Sequence, residues 1–164
     1  MQKRNELVIT RVFDAPRKLV FKAWSEAERL AQWWGPKGFG LEVKKLEFHP
    51  GGVFHYCMRM AEGAEMWGLF VYREILAPEH IVFVSSFSDK DCNITRAPFS
   101  QTWPLEVLNN LTLTEADGKT TLTLRGGPIN ASDQEYDAFE SMFGSMQNGF
   151  NETFDQLEKY LAKL

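Results

Sequence analysis

The chain has 164 residues, enough for one domain that buries about 70% of the surface its unfolded form would expose. It is 44% hydrophobic and 24% charged, a globular composition that excludes intrinsic disorder. A net charge of −4 without any basic stripe argues against nucleic acid and anionic membranes as partners. Aromatics reach 13%, with thirteen Phe and five Trp, more than one core ordinarily needs, so some are expected to face a cavity or groove. The N-terminal residues hold no apolar stretch suited to a signal peptide, and no run approaches a membrane span of about 18 residues. The cytoplasm is the expected compartment. Cys57 and Cys92 have no CxxC spacing and read as free thiols.

Glu6–Phe13 is rich in Leu, Val, Ile and Phe and predicts a first strand. Asp14-Ala15-Pro16 ends it. Pro16 suits a first helical turn, and Leu19, Val20, Ala23 and Trp24 make a short amphipathic helix. Ser25 is placed to cap a second helix through Glu26, Leu30 and Trp33, which ends at Gly35-Pro36. The period then changes to two. Strands are predicted at Leu41–Phe48, Val53–Met60, Glu65–Ile75, Ile81–Phe87, Leu105–Thr114 and Thr120–Arg125. Their links, among them Pro50-Gly51-Gly52 and Asp117-Gly118, are too short for parallel crossovers and require antiparallel neighbours. Phe54, Tyr56, Met58 and Met60 share one face of their strand, while Val53, His55, Cys57 and Arg59 share the other. Leu105, Val107, Leu111 and Leu113 align in the fifth of these strands. The exception to short links is 88–103, which either caps an opening or runs out into solvent.

From Ser132 to Leu164 the large apolar residues step by three or four, one buried stripe on a long helix. Ser132 with Glu135 forms a capping box. At about 1.5 Å per residue this helix either spans the sheet or bends near Gly144 or Gly149. The order is strand, two helices, six strands, long helix: an α+β fold in which the helix covers one face of a curved antiparallel sheet.

Chemical motifs are sparse. His49, His55 and His80 lack the partners of a metal site, so no metal and no cofactor are expected. No nucleophile elbow is present, and Gly35, Gly38 and Gly40 do not form a phosphate loop. Asp89 and Asp91 read as solvated loop carboxylates.

Thr10–Trp24, Ala31–Phe39 with its Trp33-Trp34-Gly35-Pro36 element, Phe48–Phe54 with its Pro50-Gly51-Gly52 turn, Gly68–Phe83 and Gly149–Leu161 together resemble a known group. It is the activator of Hsp90 ATPase homologue 1-like (AHSA1-like) branch of the START/Bet v 1 helix-grip superfamily. The resemblance implies one domain over residues 1–164, β-α-α-β6-α, in which the sheet grips the C-terminal helix around an apolar cavity. Family members include hydrophobic-ligand carriers, polyketide cyclases and aromatases, and an Hsp90 cochaperone. From the last this chain departs, as a lone domain.

The leading expectation is a small hydrophobic or aromatic ligand held without dedicated catalysis. The expected cavity walls are Phe54, Tyr56, Met58, Trp67, Leu69, Phe83, Phe87, Trp103, Met142, Phe143, Met146 and Phe150, with Trp33 and Trp34 at the entrance. The alternative is a cyclase-like enzyme with Tyr56 as its titratable group. A third is a protein-interaction module, in which Trp24, Trp33 and Trp34 would offer a homodimer face.

Overall fold

A computed structural model describes residues 6–35 and 40–164. In chain order these form β1 (Leu7–Phe13), α1 (Arg17–Ser25), α2 (Ala27–Trp33), β2 (Gly40–Leu46), β3 (Val53–Arg59) and β4 (Glu65–Leu76). There follow β5 (His80–Ser88), β6 (Ile94–Thr95), β7 (Val107–Ala116), β8 (Lys119–Pro128), α3 (Asp133–Ser141) and α4 (Phe143–Ala162). The strands make an antiparallel sheet in the order β1-β8-β7-β5-β4-β3-β2, with β6 paired to β5. This is the α+β helix-grip arrangement expected from the sequence.

Alternation decides which side chains meet the helices. Phe54 pairs with Phe70 and Tyr56 with Gly68 across β3 and β4. Gly68 pairs with Phe87 and Tyr72 with Phe83 across β4 and β5. These residues share the inner face. At the β7–β8 turn Asp117 and Gly118 take φ values of 55° and 76°, the left-handed pair of a two-residue hairpin.

Three local expectations are corrected. The 88–103 connection contains the short strand β6, so seven strands rather than six follow the helical hairpin. The C-terminal helix is two helices, and the break lies at Met142 (φ −104°, ψ 9°), two residues before Gly144, near which a bend was one alternative; Gly144 and Gly149 themselves lie inside α4. There the Met142 N–H donates to Phe139 O, three residues back, and the helix restarts when the Met146 N–H donates to Met142 O. Ser25 does not cap α2. Only Glu26 separates the two helices, and the Ser25 hydroxyl instead donates to Lys22 O at the end of α1. Pro36 to Phe39, where α2 was expected to run out and the two-residue period to begin, lie outside the described residues.

The core lies between the inner face and the helices. In α4 the C-terminal stripe Phe154, Leu157 and Leu161 is buried, and Phe154 meets Phe13 edge-on at 6.1 Å and Trp24 at 6.3 Å. Arg11 of β1 donates to Asn151 O and pairs with Asp155 at 2.5 Å, fixing the helix against the sheet edge. The N-terminal stripe of α4, Met146 and Phe150, is only half-buried. The Ser132–Glu135 capping box forms as expected, with each side chain meeting the other's backbone N–H.

If this seat carries the fold, Phe154→Ala should cost about 3–5 kcal/mol, and Ser132→Ala only about 1 kcal/mol through the lost cap. Urea unfolding followed by circular dichroism measures both. Equal losses would show that the helix seat is not dominant.

Candidate functional site

Between the inner face and the half-buried stripe of α4 lies a partly open cavity of about 200 Å³. Aromatic rings build most of it. Phe70 stacks on Phe83 at 4.2 Å and meets Trp34 edge-on at 5.3 Å, and Tyr56 lies 5.8 Å from Phe70. On the far side Trp103 packs on Phe139 at 5.5 Å, and Met146 and Phe150 close the wall from α4. Gly68 matters sterically, because a Cβ there would overlap the ring and hydroxyl of Tyr56. The absent side chain on β4 is what lets Tyr56 lie flat across the strand.

The loop after β5 roofs the opening. Trp103 and Pro104 line the cavity, and Phe99 packs outside them against Phe87 (5.6 Å) and Trp103 (5.4 Å). Arg96 holds the loop down: its guanidinium donates to Trp103 O at 2.8 Å and to the Glu135 carboxylate at 2.6 Å. Backbone bonding to Ser132 and the Arg96 contact hold the Glu135 carboxyl below its usual range. Asp89 is more than a solvated carboxylate. It accepts from the backbone N–H groups of Asp91 and Asn93 and shapes the turn, and the Asn93 bonds lower its pKa.

Polar atoms on the cavity wall are few and neutral. Among the described residues no charged side chain lines it. Burial pushes the Tyr56 phenol up to about 12, with the neighbouring Trp34 N–H pulling weakly the other way. That buried N–H falls short of hydrogen-bond geometry and has no partner. On β7 the buried Asn109 donates through Nδ2 to Ser85 Oγ and Val107 O, both at 3.0 Å.

Of the residues expected from the sequence, Tyr56, Met58, Trp67, Phe83, Phe87, Trp103, Met146, Phe150 and Trp34 do line the cavity. Trp67 does so although its ring stacks on His55 at 5.1 Å, a residue of the opposite face that is bonded to Asp89 O. Five expected residues stand elsewhere. Phe54 is wholly buried behind Tyr56, with ring centroids 4.7 Å apart. Leu69 points to the outer face, because Gly68 and Phe70 take the inward phase of β4. Met142 sits at the helix break and Phe143 packs edge-on against Phe139, both outside the lining. Trp33 is 1% exposed and not at an entrance; its indole N–H donates to Ala23 O at 3.0 Å and locks the α1–α2 hairpin. The sequence reading missed Phe70, Gly68, Phe139, Ser85, Asn109 and Gly126. Asn109 left a signal, as the one polar residue in the inward series Val107, Asn109, Leu111 and Leu113.

Among the described residues no group of three or more His, Cys, Asp or Glu could hold a metal ion. No described helix is long and apolar enough to cross a membrane. Cys57 and Cys92 are free, and burial pushes the Cys57 thiol up to about 11.

An open antiparallel sheet with a C-terminal helix across its inner face, and a cavity between them, defines the helix-grip class of the Bet v 1/START type, a fold that commonly binds hydrophobic ligands. Within that class, the model of the activator of Hsp90 ATPase homolog 1-like family matches residues 14–162, and the chain belongs to this family. A protein from Arthrobacter aurescens, solved in solution, is 24% identical with a TM-score of 0.80, over 97% of this chain and 87% of that one. A Mycobacterium smegmatis protein is 25% identical with a TM-score of 0.78, over 97% and 94%. An AHSA1 protein from Silicibacter pomeroyi is 20% identical with a TM-score of 0.73, over 96% and 98%. No curated protein matches the chain significantly.

The raised Tyr56 pKa has a sign. The folded state holds this proton to about 12, whereas an unfolded tyrosine releases it near about 10. The stability it contributes is therefore complete below about pH 10 and falls as pH rises through about 12. Urea midpoints measured from pH 8 to 12 should decline in the upper part of that range. Tyr56→Phe should shallow the decline, leaving the share of buried Tyr72, whose pKa burial also raises. An unchanged slope in the variant would contradict the assigned burial.

Proposed function

We propose that the protein binds a small, flat, apolar molecule in this cavity and performs no dedicated chemistry on it. One observation carries the reading: an apolar, ring-walled space of about 200 Å³ between the sheet and the half-buried stripe of α4. A dry engineered cavity of roughly 150 Å³ admits benzene, so the space suits one or two fused rings. It lies below the roughly 300–1,000 Å³ usual for drug-sized ligands. Stacked and edge-on neighbours such as Phe70, Phe83 and Trp34 favour a flat occupant over a branched one.

A cyclase-like reading fits less well. It requires a titratable group near its working pH. Tyr56, the inward-facing candidate, ionises only at about 12, and no charged group lines the described wall. His55, next to Tyr56 on β3, faces away. A docking module would call for a contiguous exposed apolar patch. Among the described residues the exposed large apolar side chains are spread over β1 (Val8, Val12), the end of β4 (Leu76), the 94–105 segment (Ile94, Phe99, Leu105) and the C-terminus (Leu164).

Naphthalene is a suitable first probe because it offers shape and nothing else. At about one hundred times its Kd a ligand specific for the folded state adds about 2.7 kcal/mol, a rise in Tm of several degrees for a chain of this size. Met146→Trp, which fills the space from α4, should keep the far-ultraviolet spectrum and abolish the shift. Saturable stabilisation that survives in this variant would place the ligand elsewhere, and no stabilisation by any one- or two-ring compound would end the proposal.

A further inference from the structure

Besides the Tyr56 hydroxyl, the Trp34 N–H and Ser86, the wall carries a polar pair on β5 and β7, Ser85 and Asn109, whose hydrogen-bond valences can be counted. Asn109 is 6% exposed and stands on β7 facing the cavity. Its amide orientation is fixed, because Val107 O is a carbonyl and can only accept, so the atom bonded to it is Nδ2. The second Nδ2 proton goes to Ser85 Oγ. Both donors are thereby used, and Oδ1 receives no hydrogen bond from any described residue. Ser85 Oγ, already an acceptor, keeps its own proton to give. The spot therefore presents one free acceptor and one free donor side by side. Gly126 of β8 keeps the approach open: a Cβ at that position would stand 3.0 Å from Asn109 Oδ1.

An acceptor next to a donor matches a group that both gives and takes one hydrogen bond. It does not match an ionised acid, which would lie buried without a cation on the described wall. Nor is a purely apolar molecule the best occupant, since it would cover the Asn109 oxygen, which is open to the cavity, without giving it a hydrogen bond.

We propose that the ligand is a neutral hydroxy-aromatic molecule of one or two rings. Its hydroxyl proton is donated to Asn109 Oδ1 while its oxygen accepts from the Ser85 hydroxyl, and its ring lies against Phe70 and Phe83. This rests on the cavity-binding reading above and adds the polar group that selects the occupant. Asn109 and Ser85 are on this account specificity residues.

The test compares 2-naphthol, naphthalene and 2-naphthoate by equilibrium dialysis against the full chain. The expected order is 2-naphthol bound at least about tenfold more tightly than naphthalene, as two modest hydrogen bonds allow, with 2-naphthoate weakest. Asn109→Leu should reduce the preference for the hydroxyl to within about twofold while naphthalene still binds. Should that variant fail to fold, Gly126→Ala crowds Asn109 Oδ1 without touching the aromatic walls, and Ser85→Ala removes the donor; each should lower the preference. Equal binding of 2-naphthol and naphthalene by the unaltered protein would overturn the proposal and leave the cavity reading standing, as would tighter binding of the naphthoate. Absence of binding by all three would overturn both.

Discussion

The structure depends on how one short stretch of helix is seated. Phe154 is wholly buried between Phe13 on the first strand and Trp24 on the helical hairpin, and Leu157 and Leu161 continue the contact one and two turns later. Three elements distant in sequence are joined there by apolar burial, at about 1.5–3 kcal/mol for each fully buried large side chain. Arg11 adds direction, tying the sheet edge to Asn151 and Asp155 on the same helix. With its C-terminal half fixed, the helix carries its N-terminal half over the sheet without a matching set of side chains to close the gap. The cavity follows from that asymmetry.

The tryptophans keep the gap from collapsing at one end. Trp24, Trp33 and Trp34 meet one another with centroids 4.9 to 5.6 Å apart, and Trp34 reaches on to Phe70. Rings in edge-on contact resist compression because each fills the hollow beside its neighbour. The hairpin thus acts as a spacer between sheet and helix. At the other end the loop through Trp103, held by Arg96 on Glu135, meets Phe139 just before the helix break. The break turns the chain so that Phe139 and Phe143 meet at right angles, which an unbroken helix would not require.

Much of this was legible in the sequence, and the failures are instructive. Alternation placed Tyr56, Met58, Phe83 and Phe87 correctly, because their strands have faces of unequal polarity. On β4 it could not choose, since Trp67, Leu69 and Val71 are as apolar as Met66, Phe70 and Tyr72; only pairing with β3 fixes the phase. A bend near Gly144 was only one of two alternatives, because Phe139, Met142, Phe143 and Met146 keep helical spacing straight through the break at Met142. Trp33 and Trp34, neighbours in sequence and alike in chemistry, separate only in three dimensions, one locked on Ala23 and the other facing the cavity. Asn109 interrupts the apolar series Val107, Leu111 and Leu113, and in the fold it faces the cavity from within that series.

The neutrality of the described wall has a consequence for weak acids. A cavity with no charged group to receive an anion would take only the protonated form of an acidic ligand. For a phenol that form dominates throughout the physiological range. For an aromatic carboxylic acid it shrinks tenfold with each pH unit above the ligand's own pKa. Were such molecules bound, their occupancy would be governed by the acidity of the surroundings acting on the ligand, although nothing on the described wall titrates near neutrality.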